Sequence, residues 1–393
     1  MKLKIAVVTE GTISEKIGEG HELRLFEIFR RLSSEHNVHI IQPAPDRRTW
    51  MKEGIFIHNV PPLPGRLGVS FFRNHFFLTR YLHAANATRE IRKINPEVVD
   101  IFGFILPTLK PEPAVVGSFA HYEKGPDIKR LYSIISVLVR KELTIVKLRK
   151  SDYLVMMSRN TEKQLSDSGL LEGKEFSYVP NGVNPRLFYK RDRIESRKTL
   201  GLPVDRHLVL LCGQLTEIKK PFDFLKGLKM LPENYWGVIV GRGPLKEKLA
   251  DFISKNGLES RVSLAGYVEK ELLPLYYSAA DVSAYLGEQE IQPLVPQESL
   301  ACGTPAVVSD APGNNELVQD GVTGALFAAG NIGAFVSAVR SICESAGLRD
   351  AMSRAGLEFM KERSWDITAR LTMDAYRKAL EISRRRKGPE HLI

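Results

Sequence analysis

Short apolar runs alternate with longer stretches of helical periodicity along almost the whole chain. In the first half the runs are KIAVVTE from Lys4, NVHIIQP from Asn37, VVDIFG from Val98, AVVGSFAH from Ala114, YLVMMS from Tyr153 and FSYVPN from Phe176. In the second half they are HLVLLCG from His207, WGVIVGRG from Trp236, RVSLAGYV from Arg261, DVSAYL from Asp281, PAVVSD from Pro305 and GALFA from Gly324. Most are continuously apolar, as parallel strands covered on both faces must be. Their alternation with helices predicts an α/β protein of doubly wound parallel sheets. The polar stretch NPRLFYKRDRIESRK, from Asn184 to Lys198, splits the runs evenly and reads as a linker. The expected organisation is a Rossmann-like domain over residues 1–190, a second over 191–371, and a helix over 372–393 that returns to the first. Ligands of such sheets gather beyond the carboxyl ends of the strands, so the turns that follow the strands are where chemistry is sought.

Composition changes this picture only a little. At 393 residues, 43% hydrophobic and 26% charged, the chain suits two ordinary globular cores. MKLKIAVVTEG reads as an opening strand and turn, not a leader, and no apolar run of eighteen residues suggests a membrane span. Cys212, Cys302 and Cys343 are odd in number and far apart, so they read as small buried hydrophobes in a reducing cytoplasm. The formal charge of +10 calls for an anionic partner. Nucleic acid, anionic lipid and phosphorylated small molecules all qualify, and composition does not choose between them.

The most informative stretch is EIQPLVPQESLACGTPAVVSD, from Glu290 to Asp310. Glu290 and Glu298 stand eight apart, and VPQESLACG reads as a short helix. Pro296 fits its first turn, Glu298 lies near its positive N-terminal end, and Gly303 with Pro305 stops it. A favourable interaction with the helix dipole is the structural explanation of Glu298. Upstream, LLCGQLTEIKKPFDFL from Leu210 ends a strand in Gly213 and carries Lys219 and Lys220 into a helix. A diphosphate finds positive charge and free amides at such a turn. The alternative is a solvated basic loop. VGRGPLKEKL, from Val240, is a weak phosphate-loop signal and reads as a structural turn.

With these residues in place, the chain resembles the retaining nucleotide-sugar glycosyltransferases of the GT-B fold, family four. The carrying pattern is Glu290, IQPLVPQ, Glu298 and SLACGTP, with RVSLAGYVEKELLPLYYSAADVSAYL before it and SDAPGNNELVQDGVTGALF and SWDITARLTMDAY after it. The resemblance implies a catalytic role for Lys219 on the leaving diphosphate and for Glu290 near the transferred sugar. It implies that Glu298 binds the ribose, that Lys220, Gln214 and Gly213 lie at the diphosphate, and that Gly266, Tyr267 and Val268 edge the base. No metal is implied, because lysine, amides and a helix end neutralise the diphosphate. The sequence departs from the family at Gln214, where an arginine is usual, and at Ile291 and Pro293, where glycines are usual. Lys220 or Arg242 could supply the missing charge, and Glu288 could share or replace the role of Glu290.

In the first half, the loop TEGTISEKIGEG precedes a helix near His21; Gly20 fits one of two family glycines and Glu19 replaces the other. His121 ends AVVGSFAH at the carboxyl end of a strand, where the resemblance places a histidine near the donor sugar. Ser158, Asn181 and Gly182 are also marked by the resemblance; the Asn-Gly pair predicts a turn with positive backbone angles. Two basic and apolar segments, GRLGVSFFRNHFFLTRYLHAANATREIRK from Gly65 and KRLYSIISVLVRKELTIVKLRK from Lys129, suit either an anionic membrane surface or core helices with a wet face.

The expected function is retaining transfer of a hexosyl group from a nucleoside-diphosphate sugar to a glycan, lipid-linked or small-molecule hydroxyl. The expected location is cytoplasmic, with peripheral contact at the inner face of an anionic membrane as an option. A catalytically weak or inactive sugar-nucleotide-binding protein is the main rival, on the strength of Gln214, Ile291 and Pro293. A sugar-nucleotide epimerase lacks its acid–base residues here, and a nucleic-acid binder lacks a recognition module.

Overall fold

The computed structural model describes residues 2–14, 20–61, 76–103, 113–119, 142–288 and 290–387, with side chains of the third segment from residue 83 onward. The chain divides into two compact units, Met1–Pro180 with Trp365–Ile393, and Asn181–Ser364. This division falls at Pro180 and not at 190. Phe188, inside the stretch read as a linker, and Val183, just before it, are buried in the core of the second unit. The C-terminal helix runs from Trp365 to Lys387, and the whole of it belongs to the first unit.

The first unit is one sheet of eight strands in the order β3-β4-β2-β1-β5-β6-β7-β8. These are β1 Lys4–Thr9, β2 Asn37–Pro43, β3 Arg48–Lys52, β4 Ile55–Val60, β5 Val98–Phe102, β6 Ala114–Phe119, β7 Tyr153–Met156 and β8 Phe176–Tyr178. All pairings are parallel except β3 with β4. That antiparallel edge was not anticipated. Its strands are joined by Glu53 and Gly54, both at positive φ (45° and 80°), the geometry of a two-residue hairpin. The helices His21–Leu32 and Trp365–Lys387 cover one face, burying Leu25, Phe29, Tyr376 and Ala379 against Ile5, Val7, Val116 and Val155. The other face lies under Ala87, Ile91 and Ile94 of the helix Phe76–Ile94.

Asp100 is buried in this unit and accepts hydrogen bonds from Tyr376 Oη and Ser118 Oγ, each at 2.7 Å. Burial raises its pKa despite these bonds and the nearby Lys147 and Arg24. Lys147 corrects an expectation. The amphipathic reading counted it among the wet cations, yet it is 2% exposed. Its ammonium donates to Gly103 O at 3.0 Å and Ser118 O at 2.5 Å and lies 4.0 Å from the Phe119 ring centroid. Burial lowers its pKa to about 7, against the opposing pull of Asp100 and Glu10. Phe71 and Phe72 of the segment from Gly65, the side chains of Phe76 and Phe77, and residues 129–141 of the other segment lie outside the described residues.

His83, which is buried, and His39, which is half-buried, stay neutral well below the ordinary histidine range. His39 reaches a pKa of about 4 through burial and the neighbouring His58, and His83 reaches about 4 through burial. Between their ordinary pKa of 6.5 and about 4, the folded unit binds fewer protons than the unfolded chain. The contribution of these groups is present above 6.5 and is lost as pH falls toward 4. Calorimetric melts at pH 7, 5.5 and 4 should show Tm falling over this window, and His83→Leu should flatten the fall. A Tm independent of pH there would contradict it.

The second unit is a six-stranded, wholly parallel sheet in the order β11-β10-β9-β12-β13-β14. Its strands are β9 His207–Cys212, β10 Tyr235–Val240, β11 Val262–Gly266, β12 Val282–Tyr285, β13 Ala306–Asp310 and β14 Gly324–Ala328. Apolar layers cover both faces, which accounts for the continuously apolar strands. The three cysteines are buried thiols that form no disulfide. Among the described residues no helix is long and apolar enough to cross a membrane.

Candidate functional site

The order in which strands are added to the second sheet reverses at β9, whose two neighbours are β10 and β12. In an open α/β sheet, the crevice beyond the carboxyl ends of such a pair is where ligands bind. The turn after β9 carries Gly213, Gln214, Lys219 and Lys220; the turn after β12 carries Glu288 and Glu290. The fold brings together residues some seventy positions apart. Lys219 Nζ is ion-paired with Glu290 and donates to Tyr285 Oη at 3.0 Å. Lys220 Nζ is ion-paired with Glu288. All four side chains are between 19% and 30% exposed, so they are open to a ligand and only partly screened by water. Burial and the adjacent Glu290 push the Tyr285 phenol far above its usual range, so it remains protonated.

Local sequence explains the presentation of the lysines. Glu217–Lys219 is a single 3₁₀ turn, and Lys220 takes a left-handed conformation (φ 52°, ψ 48°) between it and the helix Pro221–Met230. Pro221 opens that helix with its φ already set. Left-handed geometry at a lysine costs about 1–2 kcal/mol, and this bend directs the two ammonium groups to different carboxylates.

Three adjacent strands end in glycines with positive φ: Gly213 at 133°, Gly241 at 144° and Gly266 at 73°. Gly213 N donates to Val240 O at 2.9 Å, and Gly241 N to Gly266 O at 2.7 Å. A Cβ on Gly241 would stand 1.8 Å from Gly213 O, whereas one on Gly266 meets open space. The tight turn expected at Gly241 therefore seats the β9 turn. Gly241→Ala should destabilise the unit by about 3 kcal/mol or more, from overlap added to backbone strain, against about 1–2 kcal/mol for Gly266→Ala. Urea denaturation of both variants checks the ordering, and equal costs would contradict it.

The turn after β12 is braced from below. Asn314 Nδ2 donates to Gly287 O at 2.8 Å, and Ser309 Oγ to the same carbonyl at 2.7 Å. Gly313 (φ 90°) passes so close that a Cβ would lie 2.4 Å from Glu290 O. Gln292 Oε1 accepts from Asn181 N at 2.8 Å, and Asn181 Nδ2 donates to Gln292 O at 2.9 Å. Ile291 and Pro293 are thus held in a loop fixed by side chains where the family pattern has glycines. This pairing also corrects the Asn-Gly expectation: neither Asn181 nor Gly182 takes a positive φ.

The short helix runs from Leu294 to Ala301 with Pro293 as its cap, so it starts one residue earlier than expected. Pro296 is its third residue, where the missing N–H has no intrahelical partner anyway. Glu298 consequently lies in the second turn, beyond the reach of the dipole explanation, which fades within the first. Its Oε2 accepts from Tyr277 Oη at 2.9 Å, and the residue is 8% exposed. Gly303, at φ 73°, ends the helix as expected.

Gln214 is exposed, and its carbonyl accepts from Thr216 N at 3.0 Å. Arg242 stacks over the exposed Tyr267 ring at 4.8 Å, and Val268 packs against the core. In the first unit, Gly20 caps the helix His21–Leu32 at φ 65°. Ser158 Oγ caps Arg159–Asp167 by accepting from Asn160 N at 3.1 Å and Thr161 N at 3.4 Å. His121 and Glu19 lie outside the described residues.

Residues 192–359 match the family model described as glycosyl transferases group 1. This stretch is a group 1 glycosyl transferase domain. The chain is similar to D-inositol 3-phosphate glycosyltransferase of Mycobacterium leprae (strain Br4923), 29% identical over 239 residues, covering 59% of this chain and 55% of the relative. The counterpart from Mycobacterium tuberculosis (strain ATCC 25177 / H37Ra) is 29% identical over 252 residues, covering 61% and 52%. The chain spans about half the length of the curated relatives it matches. Sucrose-phosphate synthase (tll1590) from Thermosynechococcus elongatus shares the fold at TM-score 0.79 and 17% identity, covering 97% of this chain and all of that one. Anabaena Alr3699/HepE in complex with UDP does so at 0.75 and 17%, covering 95% and 99%. The fold is GT-B.

Of the residues singled out in sequence, the structure brings Lys219 and Glu290 into direct contact and Lys220 onto Glu288. Tyr285, Tyr277, Gln292, Ser309 and Asn314 were missed. The signal for all but Gln292 lay in the motif flanks YYSAADVSAYL and SDAPGNNE, where a polar residue inside an apolar run marks a bonded partner.

Proposed function

We propose that the chain transfers a hexosyl group from a nucleoside-diphosphate sugar to a hydroxyl of a glycan, lipid-linked or small-molecule acceptor, with retention at the anomeric carbon. The observation that carries this reading is the meeting of Lys219 and Glu290 at the β9/β12 switch point. In the reaction the bond from the anomeric carbon to the diphosphate oxygen breaks and one to the acceptor oxygen forms. The acceptor proton passes to the departing diphosphate. Lys219 neutralises that diphosphate, exchanging its bond to Glu290 for bonds to phosphate oxygens. Glu290, so released, faces the transferred sugar. Glu298, oriented by Tyr277, accepts from the ribose hydroxyls. Lys220 and the exposed amide of Gln214 complete the diphosphate contacts, and the backbone of Gly266, Tyr267 and Val268 edges the base. Gly20 and His121 are assigned to the reacting groups by resemblance.

The test is a transfer and hydrolysis screen of UDP-, GDP- and ADP-sugars. UDP comes first because HepE, similar in fold, was solved with it. Inositol 3-phosphate is included among the acceptors because it names the relatives' activity. Turnover of one donor, unaffected by EDTA and lost in Glu290→Gln, is the expected result. Tight donor binding without turnover on any glycan, lipid or inositol phosphate acceptor would replace this reading with a binding protein.

A further inference from the structure

At the opposite edge of the second sheet, where β9 and β12 begin, lies an open cavity of about 350 Å³. The six residues of β9 separate it from the lysine turn by roughly 17 Å at the rise of a strand. Its floor is Asp281, on which three guanidinium groups converge. Arg197 Nη2 is 2.7 Å from Oδ2, Arg193 Nη1 3.0 Å from Oδ1, and Arg349 Nε 3.7 Å from Oδ1. Oδ2 also accepts from Leu208 N at 2.8 Å, so the one carboxylate is fully subscribed.

The charges around this floor do not cancel. Arg206 also belongs to the wall, with its guanidinium over the Trp236 ring at 5.2 Å and donating to Ser260 O at 3.2 Å, and the other lining carboxylates are Asp205 and Glu344. Glu344 is engaged from outside the cavity by Arg340, at 2.8 Å. The lining groups with that outer partner amount to five cations and three anions. The deficit is local as well as formal: Arg349 Nε is shut away from solvent with no hydrogen-bond acceptor. Arg197 is spent on the carbonyls of Ala279 and Arg206. Arg193 is different, with 37% of its side chain exposed at the mouth.

We propose that this cavity is an oxyanion site, separate from the donor site, that takes a phosphate group, either inorganic phosphate or a small phosphate monoester. A tetrahedral dianion bound by the exposed Arg193, with the Arg349 charge behind it, brings the charge that the single aspartate cannot, and a guanidinium fork suits phosphate oxygens. A cavity of this size holds a phosphorylated small molecule, not a polymer.

The experiment is calorimetric titration of the intact chain with inorganic phosphate and with glucose 6-phosphate at low salt. Arg193→Gln, Arg349→Gln and Lys219→Met are run in parallel. Saturable binding weakened roughly tenfold or more by Arg193→Gln, with UDP binding unchanged, is expected. Lys219→Met should leave phosphate binding intact. Equal affinity for the two ligands identifies the free anion as sufficient, and tighter binding of the ester identifies the ester as occupant. Arg193 is at the surface, so its variant remains informative if Arg349→Gln fails to fold. Absence of saturable binding, Arg193→Gln binding within twofold of the parent, or loss of phosphate binding in Lys219→Met would each overturn the proposal.

Discussion

Replacing Arg197 by methionine is expected to lower the stability of the second unit by about 3–5 kcal/mol. Arg197 is 3% exposed, and its guanidinium makes three well-directed contacts: Ala279 O at 2.8 Å, Arg206 O at 2.9 Å and Asp281 Oδ2 at 2.7 Å. Methionine fills much of the volume but strands two carbonyls and removes the closest partner of a carboxylate that is itself 6% exposed. Arg193 and Arg349 remain near Oδ1, so Asp281 does not become a lone buried charge. The cost then comes from the unmet acceptors and from the hold that Arg197 keeps between the helix Arg193–Leu200 and the starts of β9 and β12. Urea titration should show a lower midpoint at unchanged slope. A loss below about 1 kcal/mol would mean that the remaining arginines carry the load. The residue sits in the stretch read from sequence as a linker, and a stability effect of this size is what a core element produces.

How much was legible in the sequence follows from the kind of signal each feature leaves. Strands covered on both faces leave continuous apolar runs, so every strand but β3 and β4 could be read from them. The β3–β4 hairpin leaves a weaker trace. RTWMK is an edge strand with mostly exposed positions, and Glu53-Gly54 is a less familiar turn pair than Asn-Gly. The reverse error occurred at Asn181-Gly182, where a strong local turn signal yielded to a tertiary bond with Gln292.

Charge was the other source of misreading. Lys147 looks like a wet-face cation because its partners are backbone carbonyls of β6 and of the turn after β5, which carry no sequence signature. The donor-side turns could be placed at the ends of β9 and β12 from topology alone. That Lys219 would meet Glu290 while Lys220 met Glu288 depends on the left-handed bend at Lys220, and no residue type announces it. The bracing by Ser309, Gly313 and Asn314 is legible only as an unexplained polar cluster after a strand.

Lys219→Met is expected to lower kcat by about 10²–10³-fold, the effect of removing one preorganised charge from a developing anion. Stability should change by less than about 1 kcal/mol, because the side chain belongs to a partly exposed turn and water can take its place beside Glu290. The same substitution should weaken UDP binding, since one of two cations at the diphosphate position is lost and Gln214 brings no charge. Glu288→Gln should act in the opposite direction. Lys220 is already neutralised by Glu288, so a diphosphate must displace a carboxylate before it can use that lysine. Freeing Lys220 is expected to tighten UDP binding by roughly two- to fivefold, the worth of a partly exposed ion pair. Calorimetric titration of UDP into both variants, with steady-state rates on the donor found by screening, separates the roles of the two pairs. Opposite shifts in affinity, with kcat lost only in Lys219→Met, identify Glu288 as a competitor of the diphosphate and Lys219 as its catalytic counter-charge. Weaker UDP binding in Glu288→Gln would instead make Glu288 a donor contact, and part of the role proposed for Glu290 would then pass to it.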